Sequence, residues 1–189
     1  MARFYIPIIK GKKQLPDFSQ VTSISGNGTL YDMFIACDYL KGEIIFSNLT
    51  TVSGTRVFEN TFFGCSGLTN ISFPKLTSIT GTSSFYYAFY RCSGLTNISF
   101  PKLTSITGNS SLSSAFYDCT SLKSLSFPAL TSTSFGSYTN QFNSMLYGVR
   151  GCTVHFPSNL QSVIGSWSDV TSGFRGTNTT VLFDLPATS

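Results

Sequence analysis

The sequence predicts a mainly β fold, a right-handed solenoid of about five stacked coils with short strands, irregular or short helical arcs, and a cap at each end. The first observation is a period, because cysteines at positions 37, 65, 92, 119 and 152 are separated by 28, 27, 27 and 33 residues. The second is an identity, because the stretch Cys65–Gly81, CSGLTNISFPKLTSITG, recurs letter for letter in Cys92–Gly108. The third is a further copy from Cys119, CTSLKSLSFPALTS, which keeps the apolar positions and changes the polar ones. Such a period is typical of a solenoid whose repeats pack only on their neighbours.

Composition indicates how this chain fills a core and stays solvated. Its 189 residues include 18 Phe, and only 11% of them are charged, against a usual share of roughly 25%. We therefore expect a Phe-rich core and a surface solvated mainly by Ser, Thr and Asn. At this length we expect one domain over residues 1–189.

The charge pattern argues against nucleic-acid binding and membrane insertion. The net charge is +4, and its only cluster is Lys10, Lys12 and Lys13, whereas nucleic acids require a sustained basic face. No segment approaches the run of about 18 apolar residues that a membrane span needs. The N-terminal segment MARFYIPIIKGKK also lacks the length and cleavage site of a secretory signal, so we expect no export signal.

Apolar residues recur in one frame in every repeat, which predicts columns of side chains stacked coil over coil. In the repeat that begins at Cys65 the frame is Leu68, Ile71, Phe73, Leu76 and Ile79. The equivalent residues are Leu95, Ile98, Phe100, Leu103 and Ile106, then Leu122, Leu125, Phe127 and Leu130, and before them, with one inserted residue, Leu40, Ile44, Phe46, Leu49 and Val52. A further column, three residues before each of the first four cysteines, comprises Phe34, Phe62, Phe89 and Phe116.

The N-terminal cap is expected over residues 1–27 and the repeats over 28–150. LPDFSQVTSI matches the second half of a coil, with Leu15 and Pro16 in the places of Phe73 and Pro74. Within a repeat, LTNISF predicts a strand whose Ile and Phe face inward. Pro74 ends this strand because proline cannot donate to a ladder. LTSI predicts a second short strand.

The variable arcs and the C-terminal cap complete the order of elements. The variable arc around the glycine that follows LTSIT, TGTSSFYYAFYRC, is expected to hold a turn of helix around Ala88 and Phe89. In the C-terminal cap, residues 151–189, Ser158 is expected to N-cap a helix. That helix would carry on one face Leu160, Val163, Ile164 and Trp167. TTVLFDL then predicts a final strand.

The unit AFxxCxxLxxIxFPxLTSI, over roughly residues 15–167, resembles the BspA-type leucine-rich repeats of bacterial surface proteins and some phage proteins. The resemblance implies a leucine-rich-repeat solenoid with a role in adhesion or partner binding, at the cell surface or in a virion. It brings no catalytic residues. The chain departs from the family in its longer period, with extra residues before each cysteine.

No constellation of reactive side chains predicts catalysis, a cofactor or a metal site. The cysteines share one slot in successive coils and are best explained as small buried apolar residues. His155 follows Cys152 by three residues, a spacing that on a strand sends the two side chains to opposite faces. The SGNGT segment at Gly26 lacks the ending of a phosphate loop and is expected to be a turn. The carboxylates do not recur in register: Asp17, Asp32, Asp38, Glu43, Glu59, Asp118, Asp169 and Asp184.

An aromatic strip is the first candidate binding surface. The position after the Phe34 column holds Ile35, Phe63, Tyr90 and Tyr117. The side chains assigned to the strip are Phe63, Tyr86, Tyr87, Tyr90, Arg91 and Tyr117, with Asp118 alongside. Two interpretations stay open: half-buried packing of the arcs, or a binding surface, for which tyrosine is well suited.

A polar ladder is the second candidate surface. It comprises Thr69, Asn70 and Ser72, then Thr96, Asn97 and Ser99, then Lys123, Ser124 and Ser126. Such an array either binds a glycan or a peptide edge, or is simply the solvated side of a sheet.

Two functional hypotheses follow from these features. The first is a non-enzymatic binding or adhesion module that presents an extended solenoid surface to a protein or a glycan. The alternative is a phage or prophage virion component, a tail, receptor-binding or structural protein, since the short chain shows both caps and no export signal. No cofactor is expected, and the oligomeric state is open.

Overall fold

The fold is that of a computed structural model, which describes residues 17–37, 39–131, 134–135 and 140–187. Leu15 and Pro16 of the predicted N-terminal cap lie outside the described residues. So do the basic cluster Lys10, Lys12 and Lys13, the carboxylate Asp38, and the side chain of Asp169. The predicted alignment of the cap is wrong by three residues, because Ile24 pairs with Val52 and Phe18 stacks on Phe46. Phe18 therefore holds the place of Phe73 that the alignment gave to Leu15.

Short parallel strands are the main regular elements. In chain order, β1 to β10 are Ser23–Ile24, Gly42–Ile45, Thr51–Val52, Leu68–Ser72, Ser78–Ile79, Asn97–Ser99, Ser105–Ile106, Ser124–Ser126, Thr153–Pro157 and Thr180–Leu185. They form three sheets of order β1-β3-β5-β7, β10-β9-β8-β6 and β2-β4. Most strands pair with the equivalent strand of the next coil, as Ile79 does with Ile106, whereas β4 and β6 belong to different sheets. The predicted β solenoid is therefore confirmed, and the repeats that begin at Cys37, Cys65 and Cys92 contain both strands. The repeat from Cys119 contains the first, β8, and among its described residues an isolated bridge from Phe135 to Ile106 in place of the second.

A stack of phenylalanine rings runs through the interior from the first described coil to the last. We call it the inner phenylalanine column, and its members are Phe18, Phe46, Phe73, Phe100, Phe127, Phe156 and Phe183. Successive ring centroids lie 4.2 to 5.8 Å apart with interplanar angles of 2° to 25°. Around it, the predicted Leu, Ile and Val positions are buried. Rings of this size supply much of the burial that holds coils together.

The arcs are ribbons of successive turns, so the prediction of a helical turn around Ala88 and Phe89 is wrong. The backbone N–H of Ala88 donates to Phe85 O at 3.1 Å and closes a β-turn. That of Phe89 instead donates to Ala115 O in the next coil at 2.9 Å. The preceding arc alternates in the same way, since Phe58, Asn60 and Phe62 donate to the next coil and the residues between them close turns. An α-helix would direct every N–H four residues back. In these arcs, half of the N–H groups instead donate to the next coil and join the two coils.

The turns require a left-handed residue at every fourth position. In one arc these residues are Ser83, Tyr87 and Arg91, with φ of 51°, 51° and 55°. Non-glycine residues avoid this region because Cβ crowds the backbone, at a cost of about 1–2 kcal/mol each. The hydrogen bonds between coils must offset that cost. The position before the cysteine is Ala36 (φ 50°) in one arc and Gly64 (φ 73°) in the next.

A column of glycines brings neighbouring coils into close backbone contact. A Cβ atom added to Gly81 would lie 2.0 Å from the carbonyl oxygen of Gly54, and one added to Gly108 would lie 2.3 Å from that of Gly81. The buried Ser84 hydroxyl donates to Gly54 O and Gly81 O at 2.9 and 2.7 Å. Any side chain at these glycines would separate the coils.

The C-terminal region differs in part from the prediction. TTVLFDL is a strand, β10, as expected, although its pairing with β9 shifts register between Leu182 and Leu185. The predicted N-cap at Ser158 is wrong, because Ser158 lies inside a 3-10 turn, Ser158–Leu160, preceded by Pro157 and without a side-chain cap. Two one-turn helices follow, α1 (Gln161–Ile164) and α2 (Ser168–Thr171), and then a 3-10 turn, Gly173–Arg175. Of the predicted face, Leu160 and Ile164 are buried, and Val163 and Trp167 are partly buried.

Exchanging alanine and glycine at the left-handed position before the cysteine should change stability in opposite directions. We expect Ala36→Gly to stabilise the protein and Gly64→Ala to destabilise it, each by about 1 kcal/mol, because only Gly adopts positive φ without strain. An added Cβ at Gly64 meets nothing closer than 3.6 Å, so a steric clash does not contribute. Urea unfolding provides the free energies. Ala129→Gly, outside the left-handed positions, is the matched control and should destabilise; a loss of stability in Ala36→Gly would contradict the argument.

Gly81→Ala should destabilise the solenoid by at least about 1–3 kcal/mol, since the added methyl group overlaps a backbone oxygen that cannot move alone. Gly26→Ala is the control at the start of the same column. Its Cβ would meet only the Thr29 hydroxyl, a side-chain atom, at 2.8 Å. Thermal unfolding of both variants tests this, and equal melting temperatures would refute the close-contact explanation.

Candidate binding surface

From the second arc on, the turn ribbons place one aromatic residue per coil just outside the core; the first arc has Ile35 in this position, 43% exposed. In each arc the residue three before the cysteine, such as Phe62 or Phe89, is fully buried. The following residue, Phe63 or Tyr90, is half-buried and faces outward. Because the arcs stack in register, these outward residues lie directly above one another.

The outward residues form a continuous stack, which we call the outer aromatic column: Phe63, Tyr90, Tyr117 and Tyr147. Ring centroids lie 4.5 Å apart between Phe63 and Tyr90, 4.9 Å between Tyr90 and Tyr117, and 4.6 Å between Tyr117 and Tyr147. Interplanar angles are 17°, 30° and 20°. The structure thus brings together the first three residues of this column, as their register predicts.

Tyr147 was missed in the sequence because the last arc breaks the period. It precedes Cys152 by five residues, whereas Tyr90 and Tyr117 precede their cysteines by two. The backbone N–H of Asp118 nevertheless donates to Tyr147 O at 2.8 Å, which aligns the two arcs. Tyr147 is 46% exposed and is the most accessible ring of the column.

Tyr86 and Tyr87 flank the outer aromatic column. The Tyr87 ring lies 5.4 Å from Tyr90 and 5.9 Å from Tyr117, and Tyr86 packs on Tyr87 at 4.3 Å. Burial, together with a hydrogen bond to Tyr87, raises the pKa of Tyr86 to about 12. Desolvation also raises the pKa of Tyr117, with smaller contributions from Tyr147 and Asp118. These two phenols therefore stay protonated at neutral pH and can donate hydrogen bonds.

Arg91 supplies a positive charge beside the column. Its Nε atom lies 3.5 Å from Asp118 Oδ2, and its guanidinium carbon lies 5.0 Å from the centre of the Tyr90 ring. An exposed ion pair of this length contributes little to stability. Its effect is to hold a planar cation on the accessible side of the column.

The stacked arrangement decides which part of each ring a ligand could reach. Tyr90 and Tyr117 each have a ring on both sides, so their faces are covered and their edges point outward. The outermost described ring, Tyr147, has a ring partner on one side. A ligand on this surface would therefore meet ring edges and hydroxyl groups along the column.

The polar ladder is ordered by pairing across the coils, which leaves part of its hydrogen-bonding capacity occupied. Ser99 lies opposite Ser126, and the Ser126 hydroxyl donates to Ser99 Oγ at 2.9 Å. The Asn70 side-chain amide donates to the Glu43 carboxylate. These contacts favour the interpretation of a solvated sheet face whose polar groups satisfy one another.

His155 continues this row and forms a pair that the sequence did not reveal. It lies opposite Ser126 in the sheet, and its Nδ1 atom lies 3.0 Å from both carboxylate oxygens of Asp184. Cys152, in contrast, is buried in the core. Twenty-nine residues separate His155 from Asp184, so only the pairing of β9 with β10 brings them together.

The cysteines after the first are buried, as predicted. The thiols of Cys65, Cys92 and Cys119 each donate to the carbonyl oxygen of the residue below them, Phe34, Phe62 and Phe89, at 3.0 Å. Burial raises the pKa of Cys92 and Cys119, and raises that of Cys152 to about 12. Cys37 is only half-buried. No disulfide joins these five residues, all of which are described.

The remaining features of the described residues are an open cleft beside the first arcs and a few short helices. An open cleft of about 470 Å³ lies beside the first arcs, lined by Asn27, Gly28, Tyr31, Thr55 and Arg56. Arg56 is already engaged by the Glu59 carboxylate and by the Tyr31 ring at 5.0 Å. In the described ranges, no group of three or more His, Cys, Asp or Glu side chains is placed to hold a metal ion. The helices found there are too short and too polar to span a bilayer.

The parallel coils, in which equivalent side chains stack from one repeat to the next, define a leucine-rich-repeat solenoid. The outer aromatic column is one of these stacks and lies at the surface. Residues 31–162 match the model of the BspA type leucine rich repeat region in six copies. The chain therefore belongs to the BspA-type leucine-rich repeat family, and the resemblance seen in the sequence is confirmed. Six copies are one more than the coils expected.

Comparison with individual proteins adds a structural neighbour. The chain is similar to a leucine-rich repeat protein from Bacteroides ovatus, with 23% sequence identity and a TM-score of 0.42. The match covers 78% of this chain and 37% of that chain, so this chain spans little more than a third of the neighbour's length. No curated protein matches the chain.

Thiol labelling should distinguish Cys37 from the other cysteines. With a disulfide reagent such as DTNB in native, mildly alkaline buffer, we expect one fast equivalent from Cys37, because the thiolate is the reactive species and the remaining thiols are buried. The others should react only at the rate of unfolding. Cys37→Ser should abolish the fast phase, and more than one fast equivalent in the unsubstituted protein would show that the column of thiols is accessible.

Proposed function

We propose that the protein is a non-enzymatic binding module that contacts a partner protein through the outer aromatic column. The single observation that carries the proposal is the uninterrupted stack of outward rings from Phe63 to Tyr147. Membership of the BspA-type family supports it at a coarser level, because leucine-rich-repeat solenoids are typically binding scaffolds.

Preorganisation supports a binding role for this surface. A ring held between two others loses little rotamer freedom when a partner arrives, and rigid contact residues reduce the entropic cost of association. Tyrosine and arginine are also the residues that most often dominate interface energetics. Tyr90, Tyr117 and Arg91 combine both properties in adjacent positions.

The orientation of the rings favours a protein over a glycan as the partner. Sugars are bound by aromatic side chains mainly through the ring face, and the faces of Tyr90 and Tyr117 are covered by their neighbours. At Tyr90 and Tyr117 the edges and phenolic hydroxyl groups remain, which suit the mixed apolar and hydrogen-bonding surface of a polypeptide. Only the end rings, Phe63 and Tyr147, have one ring partner in the column instead of two. Arg91 and Asp118 add a charged rim on one side. Adhesion would be one use of such a contact.

The alternative of a virion component is not supported by the comparisons. The matching family is defined by its repeats, and the structural neighbour is described only as a leucine-rich repeat protein. We therefore propose no virion role.

The double variant Tyr90→Ser/Tyr117→Ser should lose binding to the partner proteins of the unsubstituted chain. We expect a drop in affinity of at least about thirtyfold, the effect of removing an interface hot spot of about 2 kcal/mol. Binding to an array of purified cell-surface proteins and to a glycan array identifies the ligand class. Surface plasmon resonance on the protein hits then gives the affinities.

Matched variants separate binding from folding in this experiment. Tyr39→Ser/Ile45→Ser removes two side chains that are 39% and 44% exposed outside the column and should leave binding unchanged. Tyr90→Phe/Tyr117→Phe keeps the stack and removes the hydroxyls, so an intermediate affinity is expected. Tyr147→Ser at the accessible end covers the case in which the double variant fails to fold. Full retention of affinity in the folded serine variants, or hits confined to glycans, would overturn the proposal.

A further inference from the structure

In the part of the chain that the structure describes, the last strand of the sheet β10-β9-β8-β6 has an open edge. β10 is six residues long, the longest strand described, and it lies at the end of the sheet order β10-β9-β8-β6. β9 occupies one side of it. Among the described residues, no strand pairs with the other side. In the preceding coils, β2, β6, β8 and β9 are each paired with the equivalent strand of the next coil.

The side chains of β10 leave the end of the core partly uncovered. Val181 and Phe183 pack against the core but remain half-exposed, and Leu182 on the outer face is 36% exposed. Phe183 lies 5.8 Å above Phe156 and is the last ring of the inner phenylalanine column. Natural edges are often protected by charged side chains, proline or bulges. Thr180–Leu185 contains neither lysine nor proline, and its one charge, Asp184, contacts His155. Its register shift and Pro186 lie beyond Leu182.

We propose that this edge pairs with the same edge of a second copy of the chain, so that the protein forms a two-fold symmetric dimer through antiparallel β10 strands. The pairing continues the contact between coils that already builds the molecule, and it would join two four-stranded sheets into one continuous sheet. A two-fold interface needs only one self-complementary surface and closes at two subunits, the commonest symmetry among soluble oligomers. The aromatic proposal does not depend on it.

The alternation of side chains selects one register for the pair. Directly opposite residues of antiparallel strands point to the same face, so outward Leu182 must lie opposite another outward residue. With Leu182 opposite its own copy, Val181 lies opposite Phe183 and covers the last ring, and Thr180 lies opposite Asp184. A shift toward the C-terminus would set Asp184 against Leu182. A shift toward the N-terminus would leave Phe183, Asp184 and Leu185 with no residue of β10 opposite.

Leu182→Lys should dissociate the dimer, because the selected register sets two ammonium groups opposite each other at the two-fold axis. Sedimentation velocity on the full chain should show a dimer for the unsubstituted protein and a dimer dissociation constant raised at least about tenfold for the variant. Ile45→Lys is the matched control, since Ile45 is 44% exposed on β2, which belongs to a different sheet, β2-β4. It should remain dimeric.

A charge-complementation experiment makes the result independent of folding defects. Leu182→Glu alone should also be monomeric, and an equimolar mixture of Leu182→Lys and Leu182→Glu should recover a heterodimer through opposite charges at the axis. A monomeric unsubstituted protein at its highest soluble concentration would overturn the proposal. So would a Leu182→Lys variant as dimeric as the parent, or a mixture that stays monomeric.

Discussion

The spacing between coils is the constraint on which the rest of this structure depends. Parallel strands lie about 4.8 Å apart, and every coil must hold that distance to its neighbours around its whole circumference. The strands do so through ladders, the arcs by donating alternate N–H groups to the next coil, and the glycine column through direct backbone contact. A coil by itself would leave half of the backbone N–H groups of its arc without a hydrogen-bond acceptor. A coil therefore becomes ordered only when it stacks on its neighbours.

The same spacing explains why the chain can be so rich in phenylalanine and so poor in charge. Flat rings separated by roughly one strand spacing stack with little offset, and the inner phenylalanine column and the outer aromatic column are two instances of that fit. Hydroxyl and amide side chains likewise bond to their counterparts one coil away, as Ser126 does with Ser99. The surface is solvated and cross-linked by neutral groups, which leaves Arg91 and Asp118 as charges set beside an aromatic column.

How far the sequence predicts this structure depends on whether a feature is periodic. The strands, the buried cysteines and the inner rings follow from residues 27 apart, because stacking converts a sequence period into contact. The arcs do not follow, since left-handed Tyr87 and Arg91 oppose local preference and are sustained by bonds to another coil. Tyr147 was hidden by the irregular last interval. The pairing of His155 with Asp184 depends on two strands outside the identical repeats.

The two identical segments, Cys65–Gly81 and Cys92–Gly108, raise a question of order during folding. A strand that skipped one coil would pair with the same seventeen residues as in its correct position. These segments alone therefore do not distinguish the neighbouring coil from the one beyond it. The arcs that precede them differ, with ENTFFG before the first segment and SFYYAFYR before the second. The different arcs therefore distinguish one coil from the next. Diversity in the most exposed part of each repeat is what allows a nearly uniform chain to assemble in one sequence of layers.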